Sequence, residues 1–253
     1  MKQNIYDHPE FFRQYRKLRQ TPNNYNHLLE QPAFKSLLPD LIQLQMLDIG
    51  CGMGEFAYYC IGNGAKHVTA IDVSQNMLSI AQREHAHANI DYHLQALEDY
   101  HAAPESYDCI TSSLSLHYIA DFNGVIENIT RMLRPNGLFI FSVEHPIATA
   151  RKTIEDNWFY DENGKSSHYA VDNYHDEGER EQMWFVDGVV KYHRSVSTII
   201  NTLIAHGLTI EKILEPIPSD EAMQQLPSHQ LCLGIIASGI GFVLAQRTPF
   251  RFP

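Results

Sequence analysis

Residues 47–54 read Leu47-Asp48-Ile49-Gly50-Cys51-Gly52-Met53-Gly54, three alternating glycines directly behind an apolar run. This pattern marks a strand that turns sharply into a helix. Glycine permits both the tight dihedrals and the close approach of a ligand to bare backbone. The helix that follows offers unpaired N–H groups and the positive end of its dipole. A dinucleotide fingerprint, Gly-x-Gly-x-x-Gly/Ala, needs a small third residue, and counting from Gly50 that position holds Glu55. With Asp48 on the other flank, the turn is acidic on both sides. Such flanks disfavour a pyrophosphate and suit a ligand with positive charge.

A sulfonium with an amino-acid tail meets these demands, because the helix end takes the carboxylate and the nearby acids favour the ammonium. Asp72 ends the next apolar strand, eighteen residues after Gly54, where an acid accepts hydrogen bonds from ribose hydroxyls. Ser74 is better placed than Asp72 to cap the helix that follows. His117 stands behind the fourth strand, and Glu144 and His145 behind the fifth. Open α/β sheets bind ligands at such strand ends. Two histidines and an acid on one rim can remove a proton from a substrate nucleophile, with His117 as general base. The plainer reading makes His117 a capping or packing residue, and Glu144 and His145 anchors for the segment after them.

The elements that must position these residues follow from periodicity. Phe11, Phe12, Tyr15 and Leu18 recur at helical spacing, Thr21-Pro22-Asn23-Asn24 breaks the run, and a second helix is predicted over Tyr25 to Leu38. Strands then alternate with helices: Gln45–Ile49, Val68–Asp72, Ile90–Leu94, Tyr107–Thr111 and Leu138–Val143, with helices from about Gly54, Gln75 and Asp121. That alternation predicts a parallel sheet covered on both faces. Arg134-Pro135-Asn136-Gly137 reads as a helix stop and turn into the fifth strand. Segment 145–194 interrupts the alternation, holds both tryptophans and has more acids than bases. Asn163-Gly164 and Asp187-Gly188 suggest hairpins there, the second between Gln182–Val186 and Val189–His193. A helix over Val196–His206 and strands at Leu208–Leu214 and Ile240–Gln246 complete the core.

A net charge of −11 over 253 residues argues against nucleic acid or an anionic membrane as the main partner. The basic run Lys2, Arg13, Arg16, Lys17 and Arg19 reads as a solvated helix face, or as an RNA contact. Cys51, Cys60, Cys109 and Cys232 show no paired spacing and look like reduced thiols of a cytosolic protein. The opening residues lack a signal peptide's apolar core, so a cytoplasmic location is expected. Leu231–Ala245 is too short to span a bilayer and reads as buried core ending in a strand. The histidines, His85 and His87 among them, form no metal-ligand spacing, so no metal is expected.

Together these motifs resemble class I S-adenosylmethionine-dependent methyltransferases, whose first motif is an apolar-Asp-apolar-Gly-x-Gly-x-Gly stretch. The resemblance runs motif by motif over residues 46–144 and by order of elements beyond. It implies S-adenosyl-L-methionine as cofactor, at Asp48, Gly50, Gly52 and Gly54. It also implies a Rossmann-like, doubly wound, mostly parallel seven-stranded sheet with helices on both faces. Asp72-Val73-Ser74-Gln75-Asn76-Met77 is similar to the second motif, in which a Met-like side chain lies against adenine; otherwise Met77 is core packing. Gln95-Ala96-Leu97-Glu98-Asp99 matches the adenine loop, but Ala96 stands where many members carry an Asp that reaches the exocyclic amine. The adenine grip then falls to backbone groups or Glu98. Thr111 to Tyr118 corresponds to the fourth motif and puts Ser112 and Ser113 at the cofactor; without an Asn-Pro-Pro-Tyr-type sequence, exocyclic base amines are poor acceptors.

The implied organisation is an N-terminal helical lid over 1–40, a core over 41–144 plus 195–253, and an inserted substrate cap over 145–194. The implied reaction is methyl transfer to an O or N atom of a small molecule by in-line displacement. Alignment and water exclusion carry such a step, and a base is needed only for a protonated nucleophile. The aromatic, acidic cap favours an aromatic or cationic substrate, with Trp158, Trp184 and Tyr192 expected near the pocket. Lys191-Tyr192-His193-Arg194 is instead a candidate holder of a substrate carboxylate. Three alternatives stand beside this reading. One is a cofactor-binding module without turnover. The second is an RNA methyltransferase, if residues 13–19 join Arg247 and Arg251 in a positive face. The third, an NAD-dependent oxidoreductase, has Glu55 against it.

Overall fold

A computed structural model describes residues 3–152, 158–164, 166–225 and 240–247. The chain opens with a 3-10 turn, Ile5–Asp7, and helix α1, Pro9–Gln20, whose first turn is capped by His8. A wide helical turn, Asn26–Glu30, runs into α2, Gln31–Lys35. The predicted single helix over 25–38 is thus split. Pro32 has no N–H to give, and the Gln31 N–H bonds back five residues to the Asn26 carbonyl.

The alternating core follows as β1 (Gln45–Ile49), α3 (Glu55–Gly62), β2 (His67–Asp72), α4 (Gln75–Glu84), β3 (Ile90–Leu94), β4 (Tyr107–Ser113), α5 (Phe122–Met132) and β5 (Leu133–Glu144). After β5 come α6 (Pro146–Thr149), the hairpin β6 (Trp158–Tyr160) and β7 (Ser166–Tyr169), and the ribbon β8 (Gly178–Trp184) and β9 (Val186–His193). The chain returns through α7 (Val196–Ala205), β10 (Leu208–Leu214), α8 (Asp220–Gln225) and β11 (Ile240–Arg247). The first part of the apolar run over 231–245, including Cys232, lies outside the described residues, as does Arg251. Among the described residues no helix is long and apolar enough to cross a membrane.

Seven strands form one sheet in the order β10-β11-β5-β4-β1-β2-β3, parallel except for β11, which runs antiparallel to β5 and β10. Strand order reverses between β1 and β4, so the ends of β1, β2, β4 and β5 border one crevice. The period of two explains why β1 is buried on both faces. Leu47 and Ile49 join the core under α5 and α7, while Met46 joins the core under α2, α3 and α4. Phe139 and Phe141 divide from Ile140 in the same way.

Two local expectations are corrected. Arg134–Gly137 does not separate helix from strand. β5 begins at Leu133, and its pairing jumps from Tyr107↔Leu133 to Cys109↔Leu138, so the four residues bulge out of a continuing strand. Asn136, at φ +64°, makes the bend. In the β8–β9 ribbon the chain reverses at Phe185 (φ +61°), with Trp184 paired to Val186, and Asp187-Gly188 lies inside β9. The rings of Trp184 and Phe185 stand 5.1 and 5.6 Å from that of Phe11 in α1. That long-range aromatic contact sets the register over the local Asp-Gly preference.

Candidate active site

The glycine turn is tied to β2 by its own backbone. Gly50 and Cys51 both donate to the Ile71 carbonyl, at 2.9 and 3.0 Å. Gly52 donates to Asp72 Oδ2 and Ser74 to Asp72 Oδ1, each at 2.8 Å. Asp72 therefore first holds the turn and the start of α4 in place, and keeps its remaining lone pairs for a ligand. Ser74 caps α4 by accepting the Met77 N–H at 3.1 Å. Gly52, at φ +54°, lines the cavity described below, and a Cβ there would meet nothing within 4 Å. Gly54 differs: a Cβ on it would strike the Tyr92 hydroxyl and lie 2.9 Å from Ala81. It lets α3 pack against β3 and α4, and it does not line the cavity.

Asp48 is buried, and its Oδ1 accepts the Thr111 hydroxyl at 3.1 Å while Oδ2 has no partner among the described residues. Burial, reinforced by Asp72 and Glu30 against the Thr111 bond, pushes its carboxyl up to about 7. Burial likewise pushes Asp72 up to about 6, although the Ser74 and Gly52 N–H groups pull it down. A cationic ligand prefers both as carboxylates. Its affinity is therefore expected to fall as pH drops from 7.5 to 5.5, roughly tenfold, and the Asp48→Asn variant should respond less. Calorimetric titration with S-adenosylmethionine across that range checks this, and a flat wild-type profile would sink it.

A cavity of about 870 Å³ opens at the strand ends. Its wall brings together Asp48, Gly50, Gly52, Asp72, Val73, Met77, Leu97, Glu98 and Ser113 with His117, Glu144, Trp184 and Tyr192. Gly54, Ala96, Ser112, His145 and Trp158 are not part of it. Gln95 faces the cavity where the sequence pointed to Ala96. Ser112 is buried against the Ser115 hydroxyl at 2.6 Å, and the Trp158 ring packs on Tyr169 in the β6–β7 hairpin.

On the far rim, burial drives His117 down to about 4, so its ring is neutral near pH 7. Its Nδ1 accepts the Glu144 N–H at 3.4 Å, which leaves the proton on Nε2. In that state the free nitrogen is a donor, not a base. Burial alone would raise Glu144, but the ammonium of Lys191, in contact with its Oε1, overcomes it and lowers the carboxyl. Lys191 also donates to Gln182 Oε1 at 3.0 Å. His145 meets Glu215 at 2.7 Å and caps α6 at the Ile147 N–H. The basic run after Lys191 is equally engaged. His193 bonds Thr149 and the Tyr174 carbonyl, and Arg194 donates to the carbonyls of Ile119 and Ala120. Tyr192 is not basic, and its hydroxyl donates to Glu179 Oε2 at 3.4 Å, so the run is committed within the fold and not to a substrate carboxylate.

Several residues that build the site carry no local signal. Asp7 accepts the Ser74 hydroxyl at 2.6 Å and the N–H groups of Gln75 and Asn76 at 3.1 and 3.0 Å, pinning the N-terminal turn onto the start of α4. Gln3 bridges to β9 through the Gly188 carbonyl and the Val190 N–H, at 2.8 and 3.0 Å. Glu30, wholly buried, accepts the hydroxyls of Ser113 and Ser142 at 2.7 and 2.9 Å. Tyr6, Tyr15 and Tyr118 add aromatic wall, with the Tyr6 and Tyr118 hydroxyls 3.3 Å apart. Arg19 reaches Glu55 at 2.5 Å. Of the basic residues that an RNA contact would draw on, Arg13 pairs with Glu10, Arg19 with Glu55 and Arg247 with Glu105, while Arg251 lies outside the described residues.

Residues 47–141 match the family model described as a methyltransferase domain. A solved S-adenosylmethionine-dependent methyltransferase from Mesorhizobium loti is 34% identical, with a TM-score of 0.78 over 86% of this chain and 97% of that one. An uncharacterized protein of Haemophilus influenzae is 37% identical over 224 residues, 86% of this chain and 87% of its own. A ubiquinone biosynthesis O-methyltransferase of Thiobacillus denitrificans is 36% identical over 102 residues, 39% of this chain and 43% of its own. The likeness to that relative thus spans less than half of either chain.

The chain belongs to the class I S-adenosylmethionine-dependent methyltransferases. It is an enzyme of that class, and S-adenosyl-L-methionine is its cofactor. The residues present fit that group. Asp48 lines the cavity and keeps one buried oxygen with no partner among the described residues, and Gly52 leaves open the space its side chain would fill. With the family settled, the nicotinamide oxidoreductase and the module without turnover fall away.

Proposed function

We propose that the protein methylates an O or N atom of a small aromatic or cationic molecule, held between the core and two coverings, the helical lid over 1–40 and the cap over 145–194. The composition of the cavity wall carries this reading. Tyr6, Tyr15, Tyr118, Trp184 and Tyr192 supply aromatic faces. Asp48, Glu55, Asp72, Glu98, Asp121, Glu144 and Glu179 supply acids, against Arg19 as the one Lys or Arg among the described residues of the wall. Aromatic faces and carboxylates attract cations and aromatic rings and repel polyanions. A volume of about 870 Å³ suits a cofactor and a small acceptor together.

When bound, S-adenosylmethionine supplies an electrophilic methyl group whose leaving sulfur needs no acid. His117, neutral and with its proton on Nε2, orients an acceptor by donating to it. Glu144, held by Lys191, is a weak base. The Tyr6 and Tyr118 phenols, raised first by burial, stay protonated and act as donors. These residues align a nucleophile and exclude water better than they remove protons. The acceptor atom therefore arrives with a free lone pair, as in an aromatic amine.

Formation of S-adenosylhomocysteine over two matched acceptor sets tests the reading. One set holds amines on aromatic skeletons, and the other the same skeletons bearing a carboxylate or phosphate. Turnover is expected with the first set and at least about tenfold less with the second, as like-charge contact predicts. A preference for the anionic set would overturn it.

A further inference from the structure

Two polar groups stand together where β4 and β5 end, and each keeps one atom for a ligand. His117 is 5% exposed, and its Nδ1 takes the Glu144 N–H. Burial keeps the ring neutral, so Nε2 carries its proton, and that N–H has no partner among the described residues. Glu144 gives Oε1 to the Lys191 ammonium, which Gln182 Oε1 also holds. Its Oε2 accepts no hydrogen bond among the described residues. His117 and Glu144 also border a second cavity of about 20 Å³, which has room for about one water. A larger ligand therefore meets both from the cavity of about 870 Å³ that they share with Tyr6 and Tyr118.

The two atoms have fixed and opposite roles. A carboxylate ionised by its contact with Lys191 only accepts, and the protonated Nε2 of a neutral imidazole only donates. The Glu144 backbone N–H fixes the ring whose donor stands beside the Glu144 side chain, so donor and acceptor are held as a unit. A ligand edge that satisfies both carries an N–H next to a lone pair. An ammonium offers donors alone and a carboxylate offers acceptors alone. Either one leaves a desolvated wall group without its hydrogen bond.

We propose, on the aromatic-amine reading given above, that Glu144 and His117 select an amine with a lone-pair oxygen or nitrogen beside it on the ring, the amine donating to Glu144 Oε2 and its neighbour accepting from His117 Nε2. Both contacts lie in the plane of the ring, as the N–H bonds of an aromatic amine do. The lone pair of the amine stands across that plane and is left unclaimed by the protein. The edge thus sets which face of the nitrogen is open as well as which molecule is held.

Calorimetric titration of the full chain, saturated with S-adenosylhomocysteine, tests this with three neutral probes on one skeleton. Ortho-aminoacetophenone sets an N–H beside a carbonyl, meta-aminoacetophenone sets them apart, and ortho-methoxyacetophenone puts a lone pair where the N–H was. Wild type should prefer the ortho amine to the meta amine by about five- to tenfold, the worth of one neutral hydrogen bond. It should prefer the ortho amine to the methoxy compound by about 10- to 100-fold, since that bond is made to a charged group. His117→Phe should bind the two amines within about twofold of each other. In Glu144→Gln the amide oxygen stays on Lys191 and the NH₂ faces the cavity, so the preference should turn to the methoxy compound. A role in packing alone would weaken all three probes together, and that result, or an unchanged order in Glu144→Gln, would remove Glu144 from the edge. Equal binding of the two amines by wild type would overturn the inference and leave the aromatic-amine reading standing. Binding of neither amine, with turnover of the anionic acceptor set, would overturn both.

Discussion

Asp72→Ala is expected to weaken S-adenosylmethionine binding by about 100- to 1,000-fold, because a carboxylate that accepts two ribose hydroxyls contributes roughly 3–4 kcal/mol in charge-assisted bonds. The same carboxylate accepts the N–H groups of Gly52 and Ser74, so the variant also leaves two donors, the Ser74 one buried, without their acceptor. Asp72→Asn separates the two roles. An amide turns its oxygen to one N–H and its NH₂ to the other, which breaks half of the clamp while keeping the shape. It should fall between wild type and Ala in affinity, and lose about 1–3 kcal/mol of stability. Calorimetric titration and thermal unfolding read the two effects independently. An Asp72→Ala variant that binds within threefold of wild type would remove Asp72 from the cofactor site.

The second large effect lies on the opposite rim. Lys191→Met should destabilise the fold by about 3 kcal/mol, since it leaves the Glu144 carboxylate in the wall without its cation. The lower end of the range for a broken buried pair applies, as the Glu144 side chain keeps 24% of its exposure. For a chain of this size the melting temperature should drop by about 6–12 °C. Adding Glu144→Gln to Lys191→Met should recover most of the loss, a coupling that a double-mutant cycle isolates. The pH dependence has a definite sign. Glu144 is lowered in the fold, so the pair's contribution is complete above the ordinary carboxylate value of 4.5 and vanishes as pH falls through the lower folded value. The wild type should therefore approach the single variant only in acid. If Lys191→Met melted with wild type at pH 7, the pair would carry no stability.

Much of the cofactor half was legible because its signals are local. A run of glycines at positive φ, an acid at the end of the second strand and Ser74 ahead of α4 act through residues next to them in the chain. The bounds of β3 and β10 match the sequence reading, since Ile90-Asp91-Tyr92-His93-Leu94 and Leu208-Thr209-Ile210-Glu211 alternate apolar and polar residues. The core faces of β1 and β5 follow from a period of two. Where the local signal competed with a distant contact, the distant contact decided. Asp187-Gly188 is a good turn sequence, yet the ribbon turns at Phe185, where its rings and those of Trp184 reach Phe11.

The amino-acid sequence by itself determined the doubly wound sheet, the glycine turn, the place of Asp72 and the cofactor, because strand period, glycine dihedrals and helix capping act over a few residues. Only the tertiary structure decided who closes the site. Asp7 meets Ser74 across 67 residues, Glu30 meets Ser142 across 112 and Gln3 meets Gly188 across 185. It also decided which rim groups stay unengaged. Glu144 is bound to Lys191, His145 to Glu215, and burial holds His117 neutral. Hydrogen bonds and ion pairs between distant residues leave no period in a chain, and burial of a titratable group is a property of everything packed around it.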